Sequence, residues 1–427
     1  MNSNPRSSEK GQAIVYLAIG LIVFLGFVAL AIDGGIALAD RRNSQNAADA
    51  SSLAGGGKAA ADIDKANKYY KAFISDQNWN CSNLGFAMNN ADYAAWNLAK
   101  ANNFDLTYPR GSLVNNYVQT TCNDSEKYIE VTVDILSTVH SNFLQIIFPN
   151  ALQNHVVAVT HTEPGVPLAL GNAIVALNDK NCSGSKNGVM FKGNGDTVVN
   201  GGGVFSNGCL ESAGRPSILI NNAGFNYGGE LIEGNADWSP APPASPTPAR
   251  ITEDEYNVPF DPADDCNGHW VTNNDINRTG QEIGPGLYCF HGDFTTQAHD
   301  IIKGHNITFY VEGDITFNGN DQSELVAREV GTSPANGEIP GILIYVPKMQ
   351  GTCPDQTVII NGTSNLEFTG IVLAPCADVT LNGDNGTITW DNQIIGYDVF
   401  ITGNAEADIT YNDSKPYITP PKIELYR

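Results

Sequence analysis

The first pattern along the chain is an unbroken apolar run. Residues 13–32, AIVYLAIGLIVFLGFVALAI, carry no charge and no helix-period polar face. At a rise of ~1.5 Å per residue, ~20 helical residues cover the ~30 Å hydrocarbon core of a bilayer. Polar positions return at Asp33-Gly34-Gly35, and a helix rich in small residues is expected to continue to about Leu53. Gly55-Gly56-Gly57 is expected to break or loosen it, and residues 60–75 resume helical character. Residues 1–10 are short and polar and are expected to be disordered.

A second pattern covers residues 80–162. Residues 91–102 read as a helix, and YIEVTV at 128–133 alternates as a half-buried strand. SNFLQII at 141–147 is apolar and reads as helical, and HVVAVTHT at 155–162 reads as another strand. Pro164-Gly165-Val166-Pro167 is the natural boundary.

From about Leu168 the style changes to short Val/Ile/Phe runs ending in Asn-Gly turns. A hexapeptide recurs as DTVVNG (196–201), DITFNG (314–319), TVIING (357–362), DVTLNG (378–383) and DVFITG (398–403). The last four begin at 314, 357, 378 and 398, in steps of 43, 21 and 20. A step near 20 with one doubled step predicts a parallel, right-handed β-helix with one unmarked coil. Its aliphatic positions would fill the interior, and Asn-Gly would supply turns needing positive φ. A two-sheet sandwich also has short strands, but it gives no reason for repeats in phase. The Pro-rich stretch at 239–249 and residues 321–341 interrupt the solenoid as loops. PYITPP at 416–421 reads as a polar cap or extended tail.

Charge and cysteines place these elements. Net charge is −23 with pI near 4.5, which excludes the basic footprint of nucleic-acid binding. The eight cysteines, an even count beyond a membrane segment, read as disulfides. Sequence neighbours pair most simply as Cys81–Cys122, Cys182–Cys209, Cys266–Cys289 and Cys353–Cys376, one of 105 possible arrangements. The last three separations are close to one coil, so each bridge would staple adjacent coils. Zinc on Cys266-x-x-His269 and Cys289-x-His291 is the alternative use. Flanking charge nearly ties across the span, Arg6 and Lys10 before it and Arg41 and Arg42 after it. The cysteines and the acidic bulk decide for the N-terminus inside. A cleaved signal remains open, because Ala29-Leu30-Ala31 and Ala37-Leu38-Ala39 fit small-x-small cleavage.

Candidate chemistry is sparse. The repeated Asp residues 196, 314, 378 and 398 would stack as a ladder, either binding Ca²⁺ or accepting backbone N–H groups at turns. Asp261, Asp264 and Asp265 beside Cys266 are further calcium candidates, against a plain solvated acidic loop. A β-helix groove can also host a lyase or glycosidase, which needs paired carboxylates. No Gly-x-Ser-x-Gly, P-loop or His-Glu-x-x-His spacing is present, and His140, His155, His161, His299 and His305 read as ordinary residues. No catalytic residue is assigned.

One family resemblance is specific. Gly11-Gln12-Ala13 precedes the span, with Tyr16 inside it. After it come Asp33-x-Gly35, Arg41-Arg42, Gln45-Asn46-Ala47-Ala48-Asp49-Ala50 and Leu53-Ala54-Gly55. This string resembles the N-terminal segment of TadG-like proteins of the Tad/Flp pilus-assembly system. The strand, Phe-containing helix and Val-Ala-Val strand also resemble the periplasmic part of TadE/TadG-like proteins, as far as Glu163. The resemblance implies a single-pass membrane protein of a bacterial surface filament, with pilins or assembly proteins as partners. Two features depart from the pattern. Tyr16 stands at the fifth position after Gly11, where pilin precursors carry Glu, and the Asp-x-Ser-x-Ser motif of a von Willebrand type A domain is missing.

The combined expectation is a cytoplasmic stub (1–12), a transmembrane helix (13–32) and a pilin-like α+β module (33–163). A disulfide-stapled β-helix (168–415) and a tail (416–427) follow. The expected role is a structural and adhesive surface component, meeting the lipid bilayer, pilins and surface glycans. The rival readings are an anchored carbohydrate-active enzyme and a calcium-dependent adhesin.

Overall fold

The structure is a computed structural model. It describes residues 10–66, 79–108, 111, 114–139, 141–143, 152–180, 182, 188–318, 322–349, 351–362, 366–383, 387–404, 406–412 and 417–426. The expectations for residues 1–9, His140 and the stretches 67–75 and 144–147 lie outside these. The chain divides into two compact units, one of residues up to 165 together with 420–427, the other of residues 166–419.

The first unit is built on α1 (Lys10–Lys65), α2 (Gly85–Ala101) and an antiparallel sheet. The sheet runs β1 (Tyr117–Asn123), β2 (Tyr128–Val139), β3 (Leu152–Glu163), and then the C-terminal strand Lys422–Tyr426. That last strand corrects the reading of the C-terminus as a free tail. KIELY pairs along β3, with Ile423 opposite Thr162. His161 stacks between Tyr128 and Tyr426, at 4.1 and 4.6 Å between ring centres. Non-local pairing of this kind leaves little trace in local sequence.

α1 also runs unbroken through Gly55-Gly56-Gly57, against expectation. Each glycine costs a helix about 1 kcal/mol relative to alanine, and packing offsets that here. A Cβ on Gly55 would lie 2.7 Å from Val131 Cγ1 and 3.1 Å from Ala95 Cβ; one on Gly56 would lie 2.5 Å from Thr160 Cγ2. The glycines let the helix lie against α2 and the sheet. Two further boundaries differ from expectation. α2 begins at Gly85, and residues 141–143, placed in a helix by their apolar pattern, are not helical.

The second unit is a stack of coils, each contributing one strand to each of three parallel sheets, here I, II and III. In chain order, coil 1 spans 174–200, coil 2 204–221, coil 3 225–239, coil 4 286–305, coil 5 307–326, coil 6 342–369, coil 7 371–391 and coil 8 394–410. Their spatial order is 3-2-1-8-7-6-5-4. The chain therefore enters at the middle of the stack and winds out to one end at coil 3. Residues 240–278 then carry it to the far end, and it winds back until coil 8 pairs with coil 1. At this seam Ile394 pairs with Ile174, Val399 with Val189 and Ala407 with Thr197. Entry and exit are consequently adjacent: Leu168 N–H donates to Tyr417 C=O at 2.8 Å.

Burial follows from this path. Sheet I is covered on its outer face by the returning segment, whose Ile251 and Val258 pack with Val175, Phe205 and Leu373. Its strands are accordingly continuous apolar runs, such as IVLA at 371–374, buried at every position. Sheets II and III alternate, as in TVIING, with Val358 and Ile360 inside. The doubled step between 314 and 357 is not an unmarked coil. Ile315 pairs directly with Val358, and the extra length is the loops 327–341 and 346–355. Within 321–341, Glu324–Val326 is a strand of sheet III, not loop. DTVVNG at 196–201 belongs to sheet III, whereas the other four hexapeptides lie in register on sheet II.

A side-chain ladder reinforces sheet II. Asn361 Nδ2 donates to Asn318 Oδ1 at 2.9 Å, Asn382 Nδ2 to Asn361 Oδ1 at 3.2 Å, and Thr402 Oγ1 to Asn382 Oδ1 at 3.3 Å. At the corner that follows, Gly193, Gly214 and Gly403 take φ of 111°, 98° and 112°. There a Cβ on Gly193 would collide with the carbonyl of Gly403 in the next coil.

Candidate functional site

The residues carrying the family resemblance divide α1 into two functional halves. From Ile14 to Ile32 the large side chains stand exposed, Tyr16 among them at 73%. The helix is long and apolar enough to cross a membrane. From Asp33 a buried stripe begins and continues through Ser44, Ala47, Ala48, Ser51, Ser52, Gly55, Gly56, Ala59 and Ile63. The spacing of three and four is one helix face, and the small side chains let backbones approach. Polar groups fix its register. Asp33, fully buried, accepts the N–H groups of Asn142 at 2.9 Å and Phe143 at 3.0 Å. Asp40 accepts from Ser137 Oγ at 2.9 Å and Asn154 Nδ2 at 2.7 Å. Thr162 Oγ1 donates to Gly56 C=O at 3.1 Å, and Thr160 Oγ1 to Ser52 Oγ at 2.9 Å.

The quoted motif residues thus serve two surfaces. Asp33, Ala47, Ala48 and Gly55 lie in the seam. Gly35, Arg42 and Asn46 stand exposed on the opposite side, Arg41 is exposed as well, and Gln45 bonds Asp49 at 2.7 Å along the helix. Gly11, Gln12 and Ala13 lie in the first turns of α1.

The eight cysteines form four disulfides: Cys81–Cys122, Cys182–Cys209, Cys266–Cys289 and Cys353–Cys376. The second and fourth staple adjacent coils, 1 to 2 and 6 to 7. The third does not; it ties the returning segment to coil 4. That bridge also overturns the zinc reading, since both thiols are consumed. His291 instead stacks on Trp270 at 3.4 Å and bonds Glu312 at 2.9 Å.

The calcium candidates are not brought together. Asp196 is exposed at the start of its sheet III strand in coil 1. Asp261 caps the short helix Pro262–Asp265, accepting from Ala263 N–H at 3.0 Å, while Asp265 accepts from Asp261 N–H at 2.7 Å. The sheet II carboxylates also serve the backbone. Asp314 accepts from Thr357 N–H at 2.7 Å, Asp293 from Asp314 N–H at 2.9 Å, and Asp398 from Gly188 N–H. Cys81, Cys122 and Asp124 are close enough to share an ion, but the two sulfurs are bonded to each other.

Sequence reasoning missed a cleft on the second unit. It has a volume of about 610 Å³ and crosses coils 5 to 8 at the corner after sheet III. Val326, Thr369, Asp391 and Thr410 line its floor in register, and Arg328 and Glu329 of the loop 327–341 form a wall. Burial, then the charges of Asp408 and Glu367, pushes the Asp391 carboxyl above the ordinary carboxylate range. The sequence signal was the outward positions of TITWD and EADIT. They become meaningful only once these strands are known to be neighbours.

Comparison with known proteins bears on the first unit. Residues 11–62 match a family model described as "Putative Flp pilus-assembly TadE/G-like". The match covers the helix on which the resemblance was read and ends before α2, so the likeness extended to Glu163 lies beyond it. No curated protein matches the chain. Among solved structures, that of the competence-associated pilin ComZ from Thermus thermophilus is similar at 11% identity, over 76% of this chain and 89% of that one. Its TM-score is 0.17, and no argument is drawn from it.

Proposed function

We propose that this chain is a TadG-like, membrane-anchored structural component of a Tad/Flp-type pilus or related surface filament, displaying its coil stack for attachment. The observation that carries the reading is the fit between match and helix. The TadE/G-like segment begins as an exposed apolar span and ends as a helix face docked in a folded module. The N-terminus lies inside and the bulk of the chain outside, in the compartment where four disulfides persist. The stack winds as a right-handed β-helix, the hand that parallel crossovers favour. Its role is structural rather than enzymatic, with pilins or assembly proteins as partners of the exposed helix face and surface glycans as partners of the stack.

Single cysteines introduced as Ser8→Cys and Asp237→Cys test it on intact cells with a membrane-impermeant maleimide. Labelling at position 237 alone is expected. Labelling at position 8, or at neither position, contradicts the topology.

A further inference from the structure

A groove of about 440 Å³ lies where the returning segment crosses the corner after sheet I. Its floor is Leu177, Tyr397, Pro375 and Pro347, which follow the sheet I strands of coils 1, 8, 7 and 6. Three strand spacings of ~4.8 Å give this row a length of about 14 Å. The returning segment adds Tyr256 and Asn257 to the lining. The rings are held in place: Lys180 Nζ lies 5.4 Å over Tyr397, and Tyr345 at the groove's edge packs edge-on against Phe260 at 5.6 Å. Burial first, then the charges of Glu253 and Glu255, pushes the Tyr256 hydroxyl up to about 12, so it stays a proton donor at neutral pH. The charged groups nearby carry both signs, Glu253 and Lys348 in the lining and Asp179, Lys180, Asp254 and Glu255 beside them in the chain. That mixture favours neither a polyanion nor a polycation.

The groove's chemistry matches a segment of the same chain. Residues 239–249, SPAPPASPTPA, carry no charge. Pro240-Ala241-Pro242-Pro243 forms neither helix nor strand; Pro240 and Pro243 stand exposed, and Pro242 is half-buried. Polyproline II has three residues per turn, so Pro240 and Pro243 share one face; at ~3.1 Å per residue, four to five residues fill 14 Å. Prolines lack an N–H, so such a strand needs only flat apolar surface and donors to its carbonyls. Tyr397, Pro375 and Pro347 supply the surface, and the Tyr256 hydroxyl and Asn257 amide supply the donors. A sugar chain, with hydroxyl donors on every ring, would meet apolar side chains at three of the four floor positions. The segment is tied to coil 3, where Tyr227 Oη donates to Pro243 C=O and Thr247 N–H to Tyr227 C=O, both at 2.7 Å. The groove begins two coils away, so its occupant comes from another molecule. We propose that this groove binds the Pro240–Pro243 segment of a second copy of this chain. The donor patch and the receiving groove are different surfaces, so the contact is heterologous and can propagate from copy to copy. It does not depend on the membrane topology tested above, and either can fail alone.

The test uses the full chain in detergent with a fluorescein-labelled peptide of residues 239–249, read by anisotropy. Saturable binding is expected. Asn257→Trp, which fills the groove from an exposed position, should weaken it at least tenfold at unchanged melting temperature. If that variant fails to fold, Lys348→Trp, also exposed, takes its place. Pro240→Ala with Pro243→Ala in the peptide should weaken binding equally. In sedimentation velocity the chain should associate as its concentration rises. The groove variant and the proline variant should each fail to associate alone, and mixing them should restore pairing. No peptide binding, binding unaffected by the substitutions, displacement of the peptide by an N-acetylglucosamine hexamer, or no pairing on mixing would overturn the assignment.

Discussion

Asp398 sits at the seam where the two windings of the stack meet, 3% exposed. Its carboxylate accepts Asn178 Nδ2 at 2.9 and 3.0 Å and the N–H of Gly188, so one side chain of coil 8 holds two groups of coil 1's first turn. Burial, reinforced by the charge of Asp378, pushes its carboxyl up to about 6 despite these bonds and the nearby Lys180. The ordinary value is 3.8, so the folded state takes up a proton in a window where the unfolded chain does not. This contribution to stability is fully present below pH 3.8 and is lost as pH rises through about 6. Two pH units correspond to about 3 kcal/mol as an upper bound, on the order of 6 °C in melting temperature for a unit of this size. Asp398→Asn removes the titration. It also costs about 1 kcal/mol at every pH, because two amide groups then face each other. The readout is therefore the slope of the wild-type minus variant difference in melting temperature between pH 4 and 7. Wild type should lose ground to the variant as pH rises. Parallel curves would refute the reasoning.

Three further perturbations follow from packing. Gly55→Leu places a side chain against Val131 and Ala95, and should destabilise the first unit by about 2 kcal/mol or more, read by denaturant melts of the full chain. Cys266→Ser with Cys289→Ser releases the returning segment from coil 4, and should cost about 3 kcal/mol and speed proteolysis within residues 240–278, read by limited digestion. Truncation after Thr419 removes the strand paired with β3 and the ring stacked on His161. It should expose a sheet edge and promote association, read by light scattering.

Some of this architecture was legible in the sequence. The apolar span needs no partner to be recognised, and the four hexapeptides of sheet II announce coils because Asn or Thr followed by Gly recurs at the same corner. What escaped depended on distant pairing. The repeats carry no information about which coil lies beside which, so the reversed order and the seam at Val399–Val189 were hidden. DTVVNG fits the hexapeptide pattern yet lies on another sheet, because sheets II and III alternate alike. Local propensity misread Gly55-Gly56-Gly57, where contact with Val131 and Thr160 requires the absence of side chains. KIELY became a strand only because β3 returns to meet it.

The central claim, that the apolar half of α1 anchors a displayed coil stack in a surface filament, is tested most directly by shearing intact cells. The full-length chain is then located and its N-terminus read by mass. The account predicts recovery with sheared filaments or with the membrane, in either case retaining residues 13–32. A soluble chain beginning near Asp40 would contradict it, because the span would then be a discarded signal and the coil stack a secreted protein.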